Sequence, residues 1–244
     1  MKEQIYTIPV SEAYESDSEC PLCTLEKKLE NEALEYALGA AMMEPDYRIL
    51  SNEKGYCSKH FERLLAMPNK LSLALVLETH LEEIRKKLDE LNADTSRLGK
   101  SGLFKKSDNK QILSEHAEKL HKINSECIIC DKITSTMERY IDVLLYMWKN
   151  DESFRKKFDA SKGLCMHHFE QVLKLAPKSL KESDCAQFCK SLYEKQIAEY
   201  ERLQNDIHRF ILKFDYRNKD MEWGTAEDAP SRVLQKIGGW VREE

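Results

Sequence analysis

The chain has 244 residues, 33% of them charged, a net charge of −5, and only 8 glycines and 6 prolines. Abundant charge with few turn formers argues against a turn-rich β architecture and favours long solvated helices. The acidic balance argues against a broad basic nucleic-acid surface. The longest strictly apolar run, Leu73 to Leu77, falls far short of the roughly 20 residues a membrane span needs.

From the N-terminus, Met1 to Glu19 is polar and acidic, with no apolar core followed by a cleavage site. A secretion signal is therefore not expected, and the expectation is a soluble, cytoplasmic protein whose cysteines stay reduced. Cys20-Pro21-Leu22-Cys23 then opens a helix predicted to run to about Met43, with Leu25, Leu29, Ala33, Tyr36 and Ala40 on its apolar face. Pro45 suits the first turn of a short second helix, and Gly55 suits its stop. Cys57-Ser58-Lys59-His60 opens a third helix that ends before Pro68. The fourth and longest carries Leu77, Leu81, Ile84, Leu88 and Leu91 at heptad spacing, a pattern that suits a bundle core or a dimer seam.

Residues 93–109 are rich in Ser, Gly, Lys and Asp and read as a flexible linker. Gly99-Lys100-Ser101 lies there, but Asp94 stands where a phosphate-binding loop needs glycine, and no strand precedes it. An amphipathic stretch from about Ile112 to Ile123 leads into Cys127-Ile128-Ile129-Cys130. Glu118 and His121 match half of a di-iron helix motif without a partner motif, so they read as a solvated face. The helix opened by Cys127 is predicted to reach about Lys149, with Ile133, Met137, Tyr140, Leu144 and Met147 or Trp148 inward. Asp151 suits an N-cap, and Gly163 suits a stop. Cys165-Met166-His167-His168 opens the next helix, predicted to end before Pro177. The long helix after it carries Tyr200, Leu203, Ile207, Phe210 and Phe214 at heptad spacing. A short terminal helix from Pro230, closed by Gly238-Gly239, is predicted to dock through Val233, Leu234 and Ile237, with Trp240 following.

The two halves align with an offset of 107 to 109 residues. Tyr47-Arg48 falls on Phe154-Arg155, Lys54-Gly55 on Lys162-Gly163, and His60-Phe61-Glu62 on His168-Phe169-Glu170. The spacers between paired motifs are 33 and 34 residues. Each half thus supplies three thiols and one imidazole in two i, i+3 pairs, a donor set suited to tetrahedral zinc. Helix starts lower the cost of thiolates there. The expected quartets follow the halves: Cys20, Cys23, Cys57 and His60, then Cys127, Cys130, Cys165 and His168. Chain arithmetic sets a condition on that pairing. A helix of about 20 residues travels roughly 30 Å, whereas about 13 helical residues return only about 20 Å. The return limb must include extended chain, or the first helix must bend.

His168, in register with His60, is the expected ligand, and His167 a surface neighbour. Cys185 and Cys189 have no thiol counterparts in the first half and read as small buried residues. A thioredoxin-like reading of Cys20 and Cys23 lacks the βαβ frame it needs.

On these motifs the chain resembles a bacterial family known only as a domain of unknown function (number sixty-sixty-two). Its members carry C-P-x-C followed by G-x-C-x-x-H, often twice. Here the first copy is Cys20-Pro21-Leu22-Cys23 with Gly55-Tyr56-Cys57-Ser58-Lys59-His60. The second is Cys127-Ile128-Ile129-Cys130 with Gly163-Leu164-Cys165-Met166-His167-His168, where Ile128 replaces the usual proline. The resemblance implies an α-helical metal-binding protein and no established activity.

The expected architecture is all-α: a helical repeat over 1–92, a linker over 93–110, a second repeat over 111–215, and a tail over 216–244 with a short helix. Each repeat is expected to hold one zinc ion, with an iron–sulfur cluster as the lesser alternative. Full protein shells suit structural rather than catalytic metal. The expected function is a binding or scaffold protein with a protein partner, or a homodimer through its long helices. The alternatives are a redox- or metal-responsive regulator and an enzyme with a cleft between repeats.

Overall fold

A computed structural model describes residues 4–96, 98 and 109–239, and among these residues all regular structure is helical. Gly99-Lys100-Ser101, most of the expected linker, and Trp240 lie outside them. The helices are α1 (Gln4–Glu15), α2 (Pro21–Leu38), α3 (Pro45–Lys54), α4 (Ser58–Ala66), α5 (Lys70–Thr95), α6 (Asn109–Ser125), α7 (Ile128–Asn150), α8 (Glu152–Ala160), α9 (Met166–Ser179), α10 (Glu182–Lys213) and α11 (Ala229–Gly238). No described helix is long and apolar enough to cross a membrane.

The chain divides into two compact units, but not at the segment expected to join two consecutive halves. Unit 1 takes residues 1–29 together with 135–244, and unit 2 takes residues 30–134. The chain passes from one unit to the other inside α2 and again inside α7.

Unit 1 is built on an aromatic and aliphatic core. Trp148 meets Phe188 edge-on at 5.0 Å, and Tyr14 meets Phe154 at 5.1 Å. Ile141, Leu144, Leu145, Val172 and Leu192 are buried around them. Of the inward positions predicted for α7, Ile133, Met137, Leu144, Met147 and Trp148 are buried and Tyr140 is half-buried. Asp151 caps α8, accepting hydrogen bonds from the Ser153 and Phe154 amides at 2.8 and 3.1 Å. Helix α8 ends at Ala160 with Ser161 as its C-cap, two residues before Gly163, which instead turns the chain with φ of 77°.

Four findings in this unit correct the reading of the sequence. Helix α9 runs through Pro177 to Ser179. Proline removes one helical hydrogen bond and clashes one turn back, but only Lys178 and Ser179 follow it in the helix, so little of α9 lies beyond the disturbance. An N-terminal helix, α1, was not foreseen. Its buried Val10, Ala13 and Tyr14 have helical spacing, obscured by Pro9 within the helix. The terminal helix α11 forms where expected, but Leu234 and Ile237 are exposed and its buried residues are Ala229 and Lys236. On α10 the inward face is Phe188, Leu192, Gln196, Leu203 and Asp206, whereas Phe214 is 72% exposed.

Unit 2 buries Ala33, Leu34, Ala37 and Leu38 of α2 with Tyr56, Leu64, Leu73 and Val76. Pro45 sits in the first turn of α3, and Gly55 ends it at φ 65°. A β-carbon at Gly55 would come within 2.2 Å of the His80 ring, so both the backbone and the packing require glycine. The predicted core stripe of α5 is mostly turned outward: Leu77, Leu81 and Leu88 are 40%, 65% and 46% exposed, Ile84 is half-buried, and only Leu91 is buried as expected. The face that packs is Leu73, Val76, His80 and Leu91. Two overlapping apolar stripes run along α5, and periodicity alone cannot say which one meets the core.

Candidate metal centres

The eight predicted donors gather into two groups of four, crossed with respect to the halves of the sequence. Cys20, Cys23, Cys165 and His168 form one group in unit 1. Cys57, His60, Cys127 and Cys130 form the other in unit 2. This corrects the expected pairing within each half. The cause is the mismatch the chain arithmetic exposed. Helix α2 has 18 residues and α3 only 10, about 27 Å out against about 15 Å back at 1.5 Å per residue. Cys57 and His60 therefore meet the other C-x-x-C rather than their own.

All four motifs sit at helix starts. Cys20 and Cys127 immediately precede α2 and α7, and Cys57 and Cys165 are the N-cap residues of α4 and α9. The two N-caps have nearly the same backbone, φ −72° and ψ 164° at Cys57 and φ −69° and ψ 163° at Cys165. Amides at a helix start point toward the thiols and favour negative charge there.

In unit 1, His168 Nδ1 lies 3.5, 3.4 and 3.2 Å from the Sγ atoms of Cys20, Cys23 and Cys165, and the Cys23 and Cys165 sulfurs are 3.5 Å apart. In unit 2, His60 Nδ1 lies 3.2, 3.2 and 3.4 Å from Cys57, Cys127 and Cys130, and the Cys57 and Cys130 sulfurs are 3.7 Å apart. In each group the donor atoms all lie within 4.8 Å of one another. Donors about 2.0–2.3 Å from one tetrahedral zinc ion would be about 3.5–3.8 Å apart. The residues therefore fit a single tetrahedral ion. His167 is exposed and bonds Gln171 at 2.9 Å, apart from the group.

The electrostatics show two clusters short of positive charge. In unit 2, hydrogen bonding from Cys130 draws Cys127 down to about 3, while the same contact and burial push Cys130 well up. Burial opposes charge on His60, but bonds to Cys127 and Glu30 prevail and raise it to about 9. In unit 1, bonds from Cys20 and Cys23 hold Cys165 well below the ordinary thiol range, and Cys23 is pushed up by its contacts with Cys165 and Cys20 and by burial. His168, also opposed by burial, rises to about 10 through Cys165 and Cys20. A dication at either site would supply the charge that these shared protons supply only in part.

Several supporting residues carry no sequence motif. Glu30 is buried and accepts from His60 Nε2 at 2.9 Å and from Lys59 at 2.8 Å, with Arg63 also on its carboxylate. Burial alone would raise its pKa, but bonds from His60 and Lys59 bring it down to about 2. In unit 1 the nearest carboxylate to His168 Nε2 is that of Glu26, 3.5 Å away. Gln196 brackets Leu164, its Oε1 accepting from the amide at 3.0 Å and its Nε2 donating to the carbonyl at 2.5 Å. The buried Lys236 ammonium donates to the Glu19 carbonyl at 2.9 Å and to the Lys162 carbonyl. Both carbonyls adjoin the metal-ligand knuckles. A buried lysine on an otherwise amphipathic helix was the one available signal, and it reads in sequence as a solvated residue. Cys185 and Cys189 lie half-buried with sulfurs 4.0 Å apart, outside both groups.

The chain belongs to the family of unknown function DUF6062, whose family description matches residues 1–244. No curated protein and no solved structure matches it.

Proposed function

We propose that this chain is a helical binding or scaffold protein whose two units each close around one structural zinc ion. Cys20, Cys23, Cys165 and His168 hold one ion, and Cys57, His60, Cys127 and Cys130 hold the other. The supporting observation is the donor spacing, 3.2–3.7 Å between the paired atoms of both groups, which matches four corners around one atom. A catalytic zinc keeps a position open for water, whereas here four side chains fill the tetrahedron. An iron–sulfur cluster spreads its cysteines over more than one metal atom, so donors gathered this tightly favour a mononuclear ion.

The binding face we assign is the outward stripe of α5, and its occupant is a second copy of the chain lying antiparallel. Glu78 and Glu82 precede Arg85 along this stripe. Antiparallel pairing sets Leu77 against Leu88 and brings Glu78 of one copy beside Arg85 of the other, a match of apolar and charged positions.

Elemental analysis of anaerobically purified protein tests the first reading. Two equivalents of zinc are expected, one lost in Cys57→Ala and the other in Cys165→Ala. Structural zinc supplies roughly 10–16 kcal/mol of apparent binding energy, so each variant is expected to lose amide protection across its own unit. Absence of metal, or brown protein containing iron and sulfide, overturns it. Sedimentation tests the second: a dimer that Leu81→Glu makes monomeric supports self-pairing, and a wild-type monomer overturns it.

A further inference from the structure

We propose that Cys57 and Cys130 form a thiol-modification site, reached by peroxides and soft electrophiles while the unit-1 quartet stays closed. The ranking of the thiols rests on geometry alone, and only the accompanying metal release rests on the zinc reading above.

The two centres share a ligand set but not an enclosure. In unit 1, Cys20, Cys23, Cys165 and His168 are all at most 1% exposed. In unit 2, Cys127 and His60 are equally buried, but Cys57 and Cys130 are only half-buried. The centre is thus open on one side, and that side presents two thiols. They come from different helix starts, those of α4 and α7, with sulfurs 3.7 Å apart. A closing movement of less than about 2 Å brings them to disulfide distance. The remaining ligands stay anchored: His60 is held through Nε2 by Glu30, which Lys59 and Arg63 hold in turn. Cys185 and Cys189 are the competing pair. They sit one turn apart on the single helix α10 with sulfurs 4.0 Å apart and belong to neither quartet, so reaction there leaves both centres intact.

With hydrogen peroxide the chemistry balances in two steps. One thiolate attacks a peroxide oxygen, the O–O bond breaks, and the products are a sulfenic acid and hydroxide. The second thiolate then attacks that sulfur, the S–O bond breaks, hydroxide leaves, and the S–S bond forms. Two thiolates lose two electrons, and peroxide gains them as two hydroxides. Only His60 and Cys127 remain as donors in unit 2, too few to retain an ion.

The test uses the full chain as purified. It is treated under native conditions with limiting hydrogen peroxide and, separately, with N-ethylmaleimide, and all eight cysteines are followed by peptide mass spectrometry alongside a chromogenic zinc chelator. Cys57 and Cys130 are expected to react at least about tenfold faster than Cys20, Cys23 and Cys165, in line with the accessibility dependence of thiol chemistry. Peroxide is expected to give a Cys57–Cys130 disulfide and release one of two zinc equivalents, rebound after reduction. Cys130→Ser is expected to accumulate sulfenic acid at Cys57 without the disulfide. Equal rates at both centres, or first reaction at Cys185 and Cys189 with both centres intact, overturn the proposal, whether or not the variant folds. Selective reaction in a chain that binds no metal would sustain the site while overturning the zinc reading. Two zinc ions with no selectivity would do the reverse.

Discussion

The two centres share a ligand set and differ in how their knuckles are fastened. In unit 2 the fastening is local and partly backbone. The Ile128 amide donates to the Gly55 carbonyl at 3.2 Å, Lys54 pairs with Asp131 at 2.5 Å, and His80 fills the space beneath Gly55. In unit 1 the residue matching Ile128 is Pro21, which has no N–H to give. Side chains from distant helices do the work instead: Gln196 of α10 brackets Leu164, and Lys236 of α11 joins the carbonyls of Glu19 and Lys162. Buried Glu19 offsets that lysine's charge and is itself held by Arg202 at 2.6 Å, with Arg232 at 3.7 Å. One ligand geometry can therefore be reached by a ladder-like backbone bond or by a buried ionic network, and the two carry different vulnerabilities.

The sharpest way to break the comparison is Lys236→Met. It removes the ammonium from two buried carbonyls and leaves Glu19 with one cation fewer. Breaking a buried charge network typically costs about 3–5 kcal/mol. Chemical denaturation should show unit 1 losing that much, with metal retention in unit 2 unchanged. An equal loss in both units would mean that Lys236 is not specific to the unit-1 knuckles.

The imidazoles give the next contrast. Glu30 orients His60 through a direct bond at 2.9 Å, whereas Glu26 lies 3.5 Å from His168. Outer partners of this kind typically alter metal affinity about 10–100-fold. Competition with a chelator should show Glu30→Gln weakening the unit-2 centre within that range. Glu26→Gln should leave the unit-1 centre within about threefold, because its contact is at the edge of hydrogen-bond reach. A larger effect from Glu26 would reverse the assigned roles.

The smallest effect is expected from Ile128→Pro, which gives unit 2 the residue unit 1 already carries. Proline is acceptable in the first helical turn, so the cost is one backbone hydrogen bond, about 1 kcal/mol. Thermal unfolding of the metal-loaded protein should move by only a few degrees. A collapse of metal binding would show that this amide bond, and not the side-chain contacts, holds the unit-2 knuckles together.

What the sequence made legible was local. The eight donors, the proline start of α3, the Asp151 cap and most of the inward faces of α2 and α7 depend on residues within a turn or two of one another, although α2 stops at Leu38 rather than near Met43, Ala40 is exposed, and Tyr36 and Tyr140 are half-buried. What it hid was long-range. Two C-x-x-C and two C-x-x-H motifs allow two pairings, and alignment of the halves favours the wrong one. The shortfall in the return path was the one available warning. Helix α5 misled for another reason: Leu73, Val76 and His80 lie beside Leu77, Leu81 and Leu88, and a histidine is easily passed over as a core residue. Lys236, Glu19, Glu30 and Gln196 were invisible because buried polar residues are recognised by their partners, which come from far along the chain.

The passage of the chain from unit 1 into unit 2 within α2, and back within α7, sets an order of assembly on the ribosome. All donors of unit 2 have been made once Cys130 is added, whereas unit 1 still awaits Cys165 and His168 and then Lys236. At roughly 5–20 residues per second, Cys20 and Cys23 wait on the order of ten seconds or more for their partners. During that interval two nascent thiols stand without a completed cage while a second, complete set forms downstream. Unit 2 can thus complete its quartet first, while unit 1 still awaits residues from the later part of the chain.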